Sequence, residues 1–144
     1  MRVKHILASL AIALTQIMPL NAQSVSPAGH YAKKSGGAGQ MRVEKMGEGW
    51  RVFVTAGGIP ASGATAADCT LIAVGALKNN ILQGEIKYNL DTADAKPGPE
   101  NAVQSGHKMS VTFTPQFATV SAADVDDICG SGTSIFGRYT KNRR

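Results

Sequence analysis

After His5 the chain carries only two imidazoles, His30 and His107, and two thiols, Cys69 and Cys129. These are the side chains best suited to hold a metal or to attack a substrate near neutral pH. Neither histidine sits in the short-spaced ligand pattern of a zinc motif, so no metal is expected. Hydroxyls are plentiful, but none lies in a G-x-S-x-G turn. Gly130-Ser131-Gly132-Thr133-Ser134 has glycines and hydroxyls without the strand-to-helix setting of a nucleophile elbow. The acids Asp68, Asp124, Asp126 and Asp127 form a hydrolytic pair only if folding sets two of them across a cleft. Solvated acids around a turn are the simpler reading. Gly36-Gly37-Ala38-Gly39 lacks the lysine-hydroxyl ending of a phosphate-binding loop, and no helix is expected after it. The residue types thus point away from an enzyme and from any cofactor, and toward recognition by shape.

The amino terminus says where such recognition takes place. Met1-Arg2-Val3-Lys4-His5 is a basic opening, Ile6 to Leu20 is mainly apolar and uncharged, and Ala22 is the small residue at the expected cut. This is the plan of a secretory signal peptide over residues 1–22. The apolar run, interrupted by Gln16 and Pro19, is too short to favour a permanent span. The expected mature chain, 23–144, is one domain without an integral membrane segment, working in the periplasm. In that oxidising compartment Cys69 and Cys129 read as one disulfide. Closing a loop of about 60 residues, it stabilises by roughly 4 kcal/mol in the chain-entropy account.

Net charge is +5 over the whole chain. Loss of Arg2 and Lys4 brings the mature portion to about +3 by the same counting. The basic residues are scattered, and Trp50 and Phe53 fall on opposite faces of one strand, so no nucleic-acid platform forms. The acids cluster at Asp124, Asp126 and Asp127, just before Cys129.

The elements that must position these residues are strands. Gly29 to Lys33 reads as a first short strand and Gln40 to Lys45 as a second, followed by a turn at Gly47-Glu48-Gly49. Trp50, Val52 and Val54 alternate with Arg51, Phe53 and Thr55. Ile72, Val74 and Ala76 alternate in the next element, and Lys78-Asn79-Asn80 turns into a strand with Leu82, Gly84, Ile86, Tyr88 and Leu90 on one face. Asp91 to Gly106 is a long exposed loop. Met109, Val111 and Phe113 share a face, Thr114-Pro115-Gln116 turns, and Phe117 to Ser121 returns. Ala122 to Ile128 is ambiguous, with Ser121 able to cap one helical turn. Ser134 to Thr140 closes the series.

The total is about eight short strands in an all-β chain. A small antiparallel eight-stranded barrel removes exposed edges by pairing the first strand with the last; a β-sandwich meets the same count. Gly29-His30-Tyr31 and Gly137-Arg138-Tyr139 are candidate closing partners. Trp50, Val54, Leu82, Ile86, Tyr88, Met109, Val111 and Phe113 are expected to fill the interior.

Gly29-His30-Tyr31, Ala66-Ala67-Asp68-Cys69, Cys129-Gly130 and Ile135-Phe136-Gly137-Arg138-Tyr139-Thr140-Lys141 together resemble the small exported inhibitors of c-type lysozyme from Gram-negative bacteria. The resemblance implies a disulfide-containing eight-stranded barrel that inserts a loop into the cleft of a lysozyme and shields the cell wall. Those inhibitors use a Ser-Gly-x-x-Tyr segment and a Tyr-x-x-x-Thr-Lys-Gly segment. Here Ser131-Gly132-Thr133-Ser134 leads to Ile135 in place of the tyrosine, and Tyr139-Thr140-Lys141-Asn142 departs in spacing and lacks the final glycine.

Since c-type lysozymes are basic, the acidic group Asp124, Asp126 and Asp127 is the expected partner patch, with Ser131, Gly132 and Thr133 as the inserted loop and Tyr139 and Lys141 beside it. The rival readings are a binding module for another protein or a small ligand, and a structural envelope protein. Self-association is left open by the sequence.

Overall fold

Alternating apolar and polar side chains produce eight strands: β1 (Gly29–Lys33), β2 (Gly39–Met46), β3 (Gly49–Gly57), β4 (Asp68–Lys78), β5 (Ile81–Leu90), β6 (Lys108–Phe113), β7 (Phe117–Ala123) and β8 (Gly137–Lys141). A single 3₁₀ turn, Pro99–Asn101, lies between β5 and β6. The computed structural model describes residues 25–33, 38–57, 68–90, 96–129 and 133–143. The segment read as a signal peptide lies outside the described residues, as do Ser131 and Gly132.

Each strand pairs antiparallel with its neighbour in sequence, and β1 pairs with β8 through Tyr31 opposite Lys141 and Ala32 opposite Thr140. The sheet is therefore a closed barrel, not a sandwich, and β1 and β8 do form the closing seam, but Gly29-His30-Tyr31 and Gly137-Arg138-Tyr139 do not face each other: Tyr31 lies opposite Lys141, and Gly137 pairs with Val120 of β7. Closure leaves the described strands no free edge, which removes the template for pairing with another chain.

Side chains fill the barrel. Tyr31, Met41, Val52, Leu82, Met109 and Tyr139 are among its fully enclosed residues. Val54, Ile86, Val111 and Phe113 belong to the same core, while Trp50 packs against it only partly buried. Tyr88 departs from the expected face. Ala73 pairs with Ile86 but Ile72 pairs with Tyr88, so Lys87 is an extra residue in β5. That bulge reverses the facing of the rest of the strand, because side chains alternate with period two. Consistent with this, Leu90 and its neighbour Ile72 are buried but stand apart from the barrel core. In β4 the inward positions are Leu71 and Ala73; Ile72, Val74 and Ala76 occupy the opposite face.

A second bulge, at Ser121, lets β7 run on to Ala123. A single helical turn does follow, on Val125, whose carbonyl accepts from the amides of Ile128 at 3.1 Å and Cys129 at 2.9 Å, but it starts beyond β7, so Ser121, inside that strand, is not its cap. The closing strand is also shorter than its apolar run suggests. It begins only at Gly137, where φ is +106°, a conformation that favours glycine and ends the preceding segment's direction.

The two ends of the barrel are unlike. Turns β2–β3, β4–β5 and β6–β7 span only 47–48, 79–80 and 114–116, and the described chain termini lie at that same end. The strand ends that bound the four longer connections, 34–38, 58–67, 91–107 and 124–136, all lie at the opposite end. Two-residue turns suit hairpins in which Asn79 and Asn80 both adopt positive φ, at 51° and 62°.

Candidate functional site

The long-loop end is the place where candidate residues converge. Cys69, the second residue of β4, is bonded to Cys129 on the 124–136 connection, with 5.3 Å between their Cα atoms. The bond anchors the middle of that connection to the barrel wall. Three further contacts brace it. Asp124 donates its amide to the Lys108 carbonyl at 2.9 Å. The Asn89 side-chain amide, made to face the loop by the β5 bulge, donates to the Ile128 carbonyl. His107 places Nδ1 3.1 Å from the Asp124 carbonyl oxygen, so the tautomer protonated there donates to it.

The same imidazole nitrogen is 3.6 Å from a carboxylate oxygen of Asp127 and 3.9 Å from one of Asp124. His107 is well covered, whereas the Asp124 and Asp127 side chains are 66% and 69% exposed. Asp126, between them, is exposed too. The three acids therefore form a solvated negative rim. A groove of about 530 Å³ opens beside it, lined by Asn89, Glu100, Asn101, His107 and Asp127 among others. Glu100 extends the negative charge along its edge. No cluster of three or more His, Cys, Asp or Glu side chains suited to a metal ion occurs among the described residues.

Behind the rim, residues 133–136 cross the mouth of the barrel. Ile135 plugs it and is 1% exposed, while the next residue, Phe136, is 39% exposed. Two side chains fix this segment. Tyr139 donates its hydroxyl to the Ile135 carbonyl at 2.8 Å. Lys33 donates its ammonium to the carbonyls of Ser134 at 2.8 Å and Phe136 at 2.7 Å. Lys33 is 6% exposed, and its Nζ stands 5.8 Å from the Tyr139 ring centroid. Burial lowers its pKa, because desolvation disfavours the charged amine. Two carbonyls and an aromatic face replace part of the lost hydration.

The turn end repeats the arrangement. Tyr31 donates to the Pro27 carbonyl at 2.6 Å, and Lys141 donates to the Ser26 carbonyl at 3.1 Å while standing 5.5 Å from the Tyr31 ring. Ser26-Pro27-Ala28-Gly29-His30-Tyr31-Ala32-Lys33 and Ser134-Ile135-Phe136-Gly137-Arg138-Tyr139-Thr140-Lys141 share the pattern S-x-x-G-x-Y-x-K. Both glycines have positive φ, and a Cβ on Gly29 would come within 2.8 Å of Lys141 Cε. Each lysine thus clamps the segment that leads into the other strand, around an approximate two-fold relation between β1 and β8. Burial pushes the Tyr31 hydroxyl up to about 12 and Tyr139 higher still.

The sequence-predicted contact residues consequently separate. Asp124, Asp126 and Asp127 share the long-loop end with half-buried Thr133. Tyr139 is fully enclosed and out of a partner's reach; it supports the mouth segment from beneath. Lys141 lies at the opposite end of the barrel, bound to Ser26. Lys33, Asn89, His107 and Phe136 were not singled out as site residues by sequence reasoning. The repeated S-x-x-G-x-Y-x-K pattern is the signal that points to Lys33; nothing local marks the other three. No family model matches the chain, and no curated protein or solved structure matches it.

Proposed function

We propose that this protein is a non-enzymatic, exported inhibitor of c-type lysozyme that presents its long-loop end to the enzyme's cleft. The observation that carries the reading is that, at the end where the strands bounding the four longer connections stop, a disulfide braces the segment bearing three exposed acids. A braced loop loses less conformational entropy on binding than a free one, so more of its contact energy appears as affinity. The acidic rim meets the expected sign of the partner. The chain as a whole is net positive, so attraction has to come from this local patch and from short range. Gly130, Ser131 and Gly132 follow Cys129 in sequence and add little side-chain bulk, which suits a narrow cleft.

Inhibition of wall lysis by purified protein, assayed against c-type and g-type lysozymes in parallel, tests the reading. The expected result is inhibition of the c-type enzyme at micromolar concentration or below. Asp126→Lys, with the fold retained, raises the inhibition constant roughly tenfold, mainly through slower association at low salt. Equal constants for Asp126→Lys and wild type at low salt would reject the acidic rim as the contact.

A further inference from the structure

We infer that Lys33 is a positioning residue that holds Phe136 outward as the apolar anchor of the partner-binding surface. The inference rests on the reading of the long-loop end as the contact face and adds two residues to it. Phe136 is one of three large apolar side chains exposed among the described residues, and of these the one on the long-loop side. Its neighbours account for the exposure. Ile135 takes the place inside the mouth, and Gly137 turns the backbone sharply into β8, so the ring between them is left facing solvent.

The carbonyls on both sides of Ile135 are gripped by one ammonium, at 2.8 Å from Ser134 and 2.7 Å from Phe136. A single donor group bonding both carbonyls fixes the direction of the peptide units between them, and hence the direction of the Phe136 side chain. An exposed aromatic beside a rim of charge is the usual composition of an energetic anchor in protein recognition. Its partner is a protein surface that offers an apolar pocket ringed by cations, as the inhibitor reading requires of a basic enzyme. Lys141 provides an internal control. It has the same chemistry in the same repeated pattern, but it binds Ser26 at the turn end, away from the contact face.

The test compares Lys33→Met, Phe136→Ala and Lys141→Met with wild type. Affinity for a c-type lysozyme is measured by titration, and the order of residues 134–137 in the free protein by backbone ¹⁵N relaxation. Lys33→Met is expected to lower the order parameters at 134–137 and to weaken binding roughly tenfold, since only a fraction of molecules then present the bound shape. Phe136→Ala is expected to weaken binding at least as much without changing the order parameters of Ser134 and Ile135. Lys141→Met is expected to leave both quantities at wild-type values, because its bond to Ser26 lies at the turn end, whereas a binding loss caused by general destabilisation of the barrel would appear in both lysine variants.

If Lys33→Met does not fold, Lys33→Gln keeps a donor for one carbonyl and is expected to fall between wild type and full loss. Unchanged order at 134–137 in the Lys33 variant overturns the inference, as does an unchanged affinity in Phe136→Ala. Loss of order in Lys33→Met, with no lysozyme binding by wild type, removes the inhibitor reading but supports the positioning role.

Discussion

Removing the disulfide gives the most direct measure of how the long-loop end is held. Cys69 and Cys129 are separated by 60 residues in sequence and joined in the fold. Cross-linking a loop of that length lowers the entropy of the unfolded chain by an amount worth about 4 kcal/mol at 25 °C. That is a large share of the roughly 5–15 kcal/mol that a domain of this size retains in total. Cys69→Ala/Cys129→Ala also deletes the sulfur of a residue that is 1% exposed, adding a packing loss of about 1 kcal/mol. Reduced wild-type protein keeps both sulfurs, so its destabilisation isolates the loop-closure contribution.

The expected outcome is a barrel that still folds, because the turn on Val125 and the Asn89 contact persist without the bond. Urea unfolding, followed by far-ultraviolet circular dichroism, should show a loss of about 4 kcal/mol for the reduced protein and slightly more for the double variant. The slope m should rise, since the uncrosslinked unfolded chain exposes more surface. A loss below about 1 kcal/mol in both, with the native spectrum retained, would refute the view that the bond acts chiefly by restraining the unfolded chain.

Other expectations are checked by the same unfolding measurements. Gly75→Ala places a methyl group against the Gln83 backbone carbonyl and 2.5 Å from Gly84 Cα, so it should cost about 3 kcal/mol or more and loosen the β4–β5 pairing in amide exchange. Gly84→Ala is tight only against Leu82 Cδ2 at 3.0 Å, with Ala73 Cβ and the Val74 carbonyl at ordinary contact distances of 3.4 and 3.5 Å, and should cost markedly less. Alkaline stability follows from the enclosed hydroxyls. Tyr31, raised to about 12, and Tyr139, also raised, keep their protons in the folded state above pH 10, where the unfolded chain releases them. Stability is therefore full below pH 10 and falls as pH rises toward 12. Lys33 acts in the opposite sense, its lowered pKa adding stability as pH climbs toward the ordinary lysine value. The two tyrosines outweigh the one lysine. Tyr31→Phe/Tyr139→Phe should thus flatten the decline in urea midpoint between pH 10 and 12, at some loss of stability near neutrality from two missing hydrogen bonds. Persistence of the full decline in that variant would exclude the tyrosines as its source.

Much of the architecture is written in local pattern. Two-residue alternation in β3 and β6, the short turns at Gly47-Glu48 and Asn79-Asn80, and the repeated Gly-x-Tyr segments are each set by a few adjacent residues. Because the buried face of a strand repeats with period two, these stretches identify both the strand and its inward side before any contact is known. The pairing of Cys69 with Cys129 belongs to the same class, since two thiols allow only one bond within the chain.

The facing of Tyr88 and Asn89 was decided elsewhere. The bulge at Lys87 exists only in the register between β4 and β5, and it alone turns Asn89 toward the Ile128 carbonyl. Likewise, the acids beside Cys129 are visible as a local run, but their meeting with His107 depends on how β6 and the 124–136 connection approach each other. Lys33 shows the division most clearly. The chain dictates a lysine two residues after each tyrosine of the repeated pattern, and closure of the barrel supplies its bonding partners, the carbonyls of Ser134 and Phe136. A strand's inward face follows from side chains next to one another. The partner of a buried charge follows from segments about a hundred residues apart, which only the closed sheet brings within hydrogen-bonding distance.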